Sequence, residues 1–193
     1  IFLIGGSPYV LDAFLVRHCA PTLAGLKCAN LFSYRGYRSQ KELKRLVQRW
    51  DAILNKKGVS ITVLHASENF SLLYVYRWTK LLSDWSQEGV RHYLASCGYR
   101  LENMDSAVSH LGKRIKQGKE FPHEIGLFLG YPLEDVLAFI ENEGQNCKCC
   151  GCWKVYYNEE EALKQFARFQ KCTQVYCKCF SKGTSLTRLT VAC

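Results

Sequence analysis

Four cysteines lie within six residues in the run 147–152, which reads CKCCGC. Two C-x-x-C spacings overlap there, one joining Cys147 to Cys150 and the other joining Cys149 to Cys152. Thiolates at this spacing on a turn can share a soft metal ion, and an adjacent lysine favours their ionised form. The four cysteines are therefore candidate ligands for zinc, Cu(I) or an iron–sulfur cluster.

Three interpretations of this run stay open. Four ligands within six residues strain to close one tetrahedron, so a complete metal site would borrow a further thiolate from Cys172, Cys177 or Cys179. The same thiols can instead serve redox or scavenging chemistry, or the run can be a loop without a chemical role. Helical spacing favours core packing for Cys172 and Cys179 and leaves Cys177 off that apolar stripe.

A second candidate for thiol chemistry is Cys19, which directly follows His18. Positive charge nearby in the sequence, as at Lys27, can lower the pKa of a cysteine and make it a nucleophile. The structural alternative is that Pro21 begins a helix and places Cys19 near its cap. An enzyme built around Cys19, His18, Lys27 and His123 thus remains one hypothesis.

His123 and Glu124 resemble the first half of a metalloprotease helix, but position 127 is a leucine, which excludes the zincin motif. The pair can form a ligand site at a helix start, where free amides favour an anion. Alternatively, His123 is a buried residue bonded to a backbone carbonyl. The sequence contains no phosphate-binding loop, dinucleotide-binding turn or nucleophile elbow, so nucleotide-dependent and serine-hydrolase chemistry are not expected.

Length and composition indicate a globular protein. With 193 residues, 48% hydrophobic and 22% charged, the chain fits a single domain over residues 1–193 rather than a disordered or fibrous protein. It has no apolar stretch long enough to span a membrane and no signal-peptide pattern, so we expect a cytoplasmic location. The eleven cysteines cannot all pair, and free thiols in a reducing cytosol are expected.

The net charge of +9 is unevenly distributed, with ten basic and three acidic residues in 1–60 against two basic and seven acidic residues in 121–160. A basic face attracts phosphates, anionic ligands or an acidic protein. Aromatic residues interleave with arginines in a pattern that can stack nucleic-acid bases, although such a mixture is more often the rim of a core. These residues are Tyr34, Tyr37, Tyr74, Tyr76, Trp78, Tyr93, Arg35, Arg38, Arg77 and Arg91.

Several helices must position these candidates. Ser39 and Glu42 form a capping box that opens a helix whose apolar stripe runs from Leu43 to Leu54, with Gly58 to end it. After Asn158, acidic residues open a long helix that stops near residues 182–183. Further helices are predicted over 84–97 and 105–117, each closed by a glycine in the left-handed conformation, and over 123–129 and 133–142.

Strand patterns complete the predicted fold. Residues 59–65 and 70–77 alternate β-branched and aromatic residues around a polar turn at 67–69, which predicts a hairpin over about 59–77. Strands are also expected near 153–157 and near 187–191. The fold class is therefore α+β, a small, mostly antiparallel sheet packed by about six helices.

Three stretches carry a resemblance to a known family: residues 18–27 (HCAPTLAGLK) with 30–32 (NLF), residues 121–136 (FPHEIGLFLGYPLEDV) and residues 153–156 (WKVY). They resemble the bacterial family catalogued as domain of unknown function 3793, over nearly the whole chain. The resemblance implies a protein typical of anaerobic bacteria and no established activity.

These observations predict an accessory or ligand-binding protein whose thiol-rich loop binds a soft metal or acts in redox chemistry. The partner is then a small molecule, a soft metal or a protein, and the alternatives are a thiol-dependent enzyme using Cys19 or weak nucleic-acid binding by the basic face. A pocket lined by residues 18–27 and 121–136 would favour small-molecule chemistry, and a thiol loop remote from any pocket would favour metal handling. The candidate ligand-binding residues are Lys27, Asn30, His123, Glu124 and Lys154.

Overall fold

The computed structural model describes residues 11–67, 70–118 and 120–192. These described residues form nine α-helices, a short 3₁₀ turn at Asn55–Lys57 and five strands. The helices are α1 (Leu11–Leu23), α2 (Gln40–Leu54), α3 (Trp78–Trp85), α4 (Glu88–Ser96), α5 (Met104–Gln117), α6 (Ile125–Phe128), α7 (Leu133–Glu141), α8 (Glu159–Ser181) and α9 (Leu186–Leu189). The strands are β1 (Ala29–Tyr34), β2 (Ser60–Ala66), β3 (Ser71–Tyr76), β4 (Cys149–Cys150) and β5 (Lys154–Val155).

Strands β1, β3 and β2 form an antiparallel sheet in that order. The predicted hairpin is confirmed as the β2–β3 pair, and the Glu68 and Asn69 of its predicted turn lie outside the described residues. The third strand, β1, was not predicted from the sequence. It pairs with β3 so that Ala29 lies opposite Tyr76, and the fold class is α+β.

The central strand β3 is covered on both faces, because successive side chains of a strand point to opposite sides. Leu73 and Val75 pack into a core with α1 and α2. Tyr74 and Tyr76 pack into a second core with helices α3 to α6. The sheet thus lies between two helical layers, and each fully buried large apolar side chain contributes about 1.5–3 kcal/mol.

The predicted start of α2 is confirmed. The side chain of Ser39 accepts a hydrogen bond from the amide of Glu42 at 3.2 Å. The carboxylate of Glu42 accepts from the amide of Arg38 at 2.7 Å, one residue before the partner that a strict capping box uses. Gly58, with φ of 74°, ends the 3₁₀ turn that follows the helix.

The helix predicted over 84–97 is wrong in its first part. Two helices occupy this region, and α3 ends at Trp85, where the hydroxyl of Ser86 donates to the carbonyl of Ser83 at 2.7 Å. The glycine that follows α4, Gly98, has the expected left-handed φ of 86°. Gly118 does not, because its φ is −71° and the chain leaves α5 in an extended conformation.

Two strand predictions are corrected. Residues 187–191 do not form a strand, because Ser185 caps the short helix α9 through the amide of Arg188, and Val191 makes a single backbone bond to Leu23. The strand expected near 153–157 is limited to β5. It pairs with β4 in a separate two-stranded sheet rather than joining the main one.

Helix α8 packs along α1 and ends at residues 182–183 as predicted. Asn158 occupies its N-cap position, but its side chain does not cap the helix. Cys177, together with Tyr176 and Phe180, packs against the α1–α2 core. The predicted stripe was therefore wrong in placing Cys177 off the packed face, although Cys172, Cys177 and Cys179 are all partly buried.

Arg77 follows β3 and is completely buried. Its guanidinium donates to the carbonyls of Thr22 (2.6 Å), Leu23 (2.8 Å), Lys57 (3.1 Å) and Val191 (2.7 Å). One side chain thereby joins the end of α1, the turn after α2 and the C-terminal segment. A guanidinium suits this role because it presents five donors in a fixed plane.

The aromatic–arginine pattern does not form one exposed stacking surface. Tyr34, Tyr74 and Arg77 are completely buried. The hydroxyl of Tyr74 donates to the carbonyl of Phe128 at 2.6 Å, within the second core. These residues therefore stabilise the fold, and they are not available for stacking on bases.

Candidate ligand pocket and cysteine hairpin

A pocket of about 360 Å³ lies between the segment that carries α6 and α7 and the hairpin formed by β4 and β5. Its lining is mainly apolar and comes from residues 121–139 on one side and residues 150–154 on the other. Two of the three family-like stretches therefore meet here, together with part of the cysteine run. Among the candidate residues, His123, Lys154, Cys150 and Cys152 line it.

Aromatic rings line the pocket and support one another. Tyr131 stacks on Trp153 with ring centroids 5.1 Å apart and an angle of 27° between the planes. Trp153 in turn meets the ring of Phe166 on α8 edge-on at 4.6 Å. At another wall, the ring of His123 lies 5.2 Å from that of Phe139. Such walls favour flat, apolar molecules.

Asp135 holds the two sides of the pocket together. This buried carboxylate accepts hydrogen bonds from the indole Nε1 of Trp153 at 2.8 Å and from the amides of Tyr156 and Tyr157 at 2.8 and 3.2 Å. Three N–H donors thus satisfy a charge that would be costly to bury alone. In the sequence Asp135 looked only like an acidic residue in the first turn of a helix, and no pattern there indicated its partners.

Lys154 is the cationic group of the pocket wall. Its Nζ donates to the carbonyl of Gly144 at 2.6 Å and lies 5.8 Å from the centroid of the Phe139 ring. Since His123 also packs on Phe139, both polar side chains border the same ring. This end of the pocket is suited to an anionic group.

Glu124 does not line the pocket, in contrast to its neighbour His123. Its carboxylate is buried, accepts a 2.9 Å hydrogen bond from the hydroxyl of Tyr99 and forms an ion pair with Arg114. The prediction of Glu124 as a ligand-binding residue is therefore not supported by its position. Its contacts instead join the segment before α6 to α5.

The cysteine hairpin places Cys149 apart from Cys150 and Cys152. Cys150 and Cys152 line the pocket, whereas Cys149 packs toward Trp153, Val155 and α8. Burial raises the pKa of Cys149, and Glu159 and Cys147 act in the same direction. Alternation along β4 separates Cys149 from Cys150, because neighbouring residues of a strand face opposite sides.

The positions of these thiols do not match the predicted metal site. Of the overlapping C-x-x-C pairs, the one that joins Cys149 to Cys152 has one thiol packed toward α8 and the other at the pocket. Within residues 11–67, 70–118 and 120–192, no group of three or more His, Cys, Asp or Glu side chains is arranged to hold a metal ion. A four-thiolate zinc or iron–sulfur site at residues 147–152 would require these side chains to rearrange.

Glycine is required where the hairpin meets α8. A methyl group on Gly151 would overlap the ring of Phe166. The absence of a side chain lets the hairpin turn lie directly against this ring, which also supports Trp153. Gly151 therefore positions both the neighbouring thiols and the aromatic wall.

The first family-like stretch reaches the pocket through Lys27. Its Nζ lies 5.2 Å from the centroid of the Tyr131 ring, and the hydroxyl of Tyr131 donates to the carbonyl of Cys152 at 2.9 Å. Burial lowers the pKa of Lys27, an effect opposed by the thiols of Cys28, Cys152 and Cys19. All three family-like stretches thus meet around Tyr131, although Lys27 is not a lining residue of the pocket.

Gly130 allows this close approach. Its φ is 71°, a conformation that favours glycine. A Cβ atom there would lie 2.5 Å from the sulfur of Cys28. Burial raises the pKa of Cys28 to about 12, and Asp84 contributes in the same direction.

Cys19 and His18 do not form a thiol–imidazole pair directed at a cleft. Cys19 is completely buried in the α1–α2 core, and burial raises the pKa of its thiol well above the ordinary value. His18 is exposed and stacks on Phe32 at 5.2 Å, and burial of part of its ring and the charge of Arg17 lower its pKa. Pro21 lies inside α1 rather than at its start.

Asn30 has a structural partner. Its side-chain oxygen accepts a 2.7 Å hydrogen bond from the hydroxyl of Thr22, which links the end of α1 to β1. The Asn30 side chain is engaged in this bond and does not line the pocket. The prediction of Asn30 as a ligand-binding residue is therefore not supported by its position.

The fold and the pocket define a small α+β protein with an aromatic-walled cavity bordered by two thiols and a lysine. The chain belongs to the family described as protein of unknown function (DUF3793), whose model matches residues 15–190. No curated protein and no solved structure shows a significant match. Among the described residues, no helix is both long and apolar enough to cross a membrane.

Proposed function

We propose that the protein binds a small, flat, largely apolar molecule that carries an anionic group, in the pocket between α7 and the cysteine hairpin. The observation that carries this proposal is the pocket itself, a cavity of about 360 Å³ lined by the aromatic side chains of Phe121, Tyr131, Phe139 and Trp153. Cavities of this size, with apolar walls and a few polar groups, are typical of small-molecule sites.

The charges at the walls support an anionic group on the ligand. The Asp135 carboxylate is turned toward three N–H donors. Among the described residues the Lys154 ammonium makes one hydrogen bond, to Gly144, and an ammonium has three N–H groups. Lys154 therefore retains donors for a bound molecule.

Two thiols of the hairpin lie within reach of a bound molecule. Cys150 and Cys152 border the same pocket, so a bound molecule contacts the part of the hairpin where thiol chemistry is accessible. We propose an accessory role in which binding is primary and these two thiols act on, or respond to, the occupant. Cys19 takes no part in this role, because it is buried in another core.

The test uses two fluorescent probes with the same aromatic framework. One is 1-anilinonaphthalene-8-sulfonate and the other is N-phenyl-1-naphthylamine, which lacks the sulfonate. We expect the full chain to bind both, and the anionic probe more tightly. Lys154→Met should weaken binding of the anionic probe several-fold and leave the neutral probe unchanged.

Lys148→Met is the matched control. Lys148 lies on the same hairpin and also donates to a backbone carbonyl, that of Tyr157 at 2.9 Å, but it does not line the pocket. Equal losses in the two variants, or no loss in Lys154→Met, would contradict the proposal. Native mass spectrometry of protein purified without oxygen then reports the mass of any natural occupant.

A further inference from the structure

Strand β2 forms one edge of the three-stranded sheet. The amide of Ile61 donates to the carboxylate of Asp51 at 2.8 Å, so the backbone N–H and C=O groups of Ile61 point away from β3. Along an antiparallel pair, every second residue directs its backbone groups away from the partner strand, so the backbone groups of Val63 have the same orientation as those of Ile61. Within the described part of the chain, the amide and carbonyl of Val63 and the carbonyl of Ile61 point outward without a partner. Such an edge is a template for a further strand.

Two grooves meet at this edge. A groove of about 450 Å³ lies between β2 and α2, and one of about 470 Å³ lies between β2 and α5. Thr62 and Val63 line both. Because side chains of a strand alternate between its two faces, an added strand would place them in the two grooves in turn.

The groove walls carry an excess of positive charge. Lys44 lines the groove at α2, and Lys113 and Lys116 line the groove at α5. None of the three forms an ion pair with another described residue. The walls also hold two carboxylates, Asp51 and Asp105, so three ammonium groups outnumber two carboxylates. The grooves therefore match acidic side chains, whereas a second copy of this chain would bring the same lysines together.

The open part of the edge is short. The register of β2 shifts between Val63 and His65. Beyond that shift α5 closes on the strand, since a methyl group on Gly112 would lie 3.0 Å from the carbonyl oxygen of Leu64. Pairing is thereby confined to residues 61–63.

We infer that the edge of β2 at residues 61–63 binds an extended acidic segment of a partner protein by strand addition. Main-chain hydrogen bonds to Val63 and Ile61 hold the segment. Its carboxylates contact Lys44, Lys113 and Lys116. This interaction is separate from the aromatic pocket and does not depend on it.

The first test titrates the full chain into a fluorescein-labelled peptide of alternating glutamate and valine and follows its anisotropy. A peptide of alternating lysine and valine is the control. We expect only the acidic peptide to bind, with an affinity that falls as salt is raised. The variant Lys44→Glu/Lys113→Glu/Lys116→Glu should bind at least about tenfold more weakly. Charge reversal at the exposed residues Lys171 and Lys178 of α8 and Lys182, which directly follows α8, should have no effect.

The second test addresses the backbone. Val63→Pro removes the outward amide at a position where an edge strand tolerates proline, and we expect binding to fall about tenfold or more. Val63→Ala keeps the amide and should keep binding. Hydrogen exchange of the Val63 amide in the native chain should slow when the acidic peptide is added. This measurement needs no variant, so it does not depend on how the proline variant folds.

Three results would overturn the inference. The first is no binding of the acidic peptide, or binding that the triple lysine variant leaves unchanged. The second is binding of oligouridylate, lost in that variant, with no binding of the peptide, which would assign the grooves to nucleic acid. The third is a dimer of the native chain that Val63→Pro dissociates, which would assign the edge to a second copy.

Discussion

The carboxylate of Asp135 accepts a 2.8 Å hydrogen bond from the indole Nε1 of Trp153. This bond joins the first turn of α7 to the hairpin that carries Cys150 and Cys152. It therefore sets the separation of the two pocket walls. The same carboxylate also receives two backbone amides from the chain that follows β5.

Asp135→Asn should weaken both the fold and the pocket. An amide presents an N–H group where the carboxylate accepts, so one of the three donors loses its partner. We expect the free energy of unfolding to fall by about 1–3 kcal/mol, measured by urea denaturation, and binding of the anionic naphthalene probe to weaken. The neighbouring exposed variant Glu134→Gln should change stability by no more than about 0.5 kcal/mol. Equal stability of the two variants would disprove the bridging role of Asp135.

Lys27→Met tests the buried ammonium next to Tyr131. Burial lowers the pKa of Lys27 in the folded chain, so the unfolded chain binds more protons between that lowered pKa and the ordinary value of 10.5. The stability contributed by Lys27 therefore rises with pH across this window. We expect Lys27→Met to be more stable than the native chain at neutral pH, and the difference to narrow as the pH is raised toward 10.5.

The measurement for Lys27 is the free energy of unfolding of both chains at several pH values. Thiols of Cys19, Cys28 and Cys152 surround the ammonium, and burial raises the pKa of each. The thiols of Cys19 and Cys28 therefore remain protonated in the folded chain over this window. The exposed variant Lys171→Met should show no such narrowing. A difference that widens with rising pH would contradict the assigned sign.

Alkylation should separate the cysteines by burial. We expect iodoacetamide at mildly alkaline pH to modify Cys150 and Cys152, which are exposed. Cys19 and Cys28 should react at least about 100-fold more slowly, because exposing a core residue requires an opening that costs several kcal/mol. Peptide mass spectrometry at increasing times measures each rate. If Cys19 were labelled as fast as Cys150, the hypothesis that Cys19 is a nucleophile would be supported.

Arg77→Met should be among the most destabilising substitutions. It removes a buried guanidinium that donates to four carbonyls, of which those of Thr22 and Leu23 keep one backbone amide each. We expect a loss of about 3–5 kcal/mol in the free energy of unfolding, a large part of the stability of a typical domain. The exposed Arg91→Met on α4 is the control, and both are compared by thermal and urea denaturation. A small effect at Arg77 would mean that water or other donors satisfy these carbonyls.

Local signals predicted much of the secondary structure. Ser39 and Glu42 predicted the start of α2, and Gly98 predicted the end of α4, because capping and left-handed turns depend on residues close in sequence. The predictions failed where a segment is short or its partners are distant. Strand β1 is recognised by its pairing with β3, and the residues expected to form a closing strand instead form α9 because Ser185 caps it.

The candidate site shows the same division. The sequence alone determined the residue types that make chemistry possible here: thiols at close spacing, an aromatic-rich stretch and a lysine after Trp153. Only the tertiary structure decided that Cys150 and Cys152 border a pocket while Cys149 packs toward α8. Likewise, only folding turned Asp135 and Arg77 into structural anchors. The physical reason is that strand alternation and long-range hydrogen bonds, rather than neighbouring residues, determine where each side chain points.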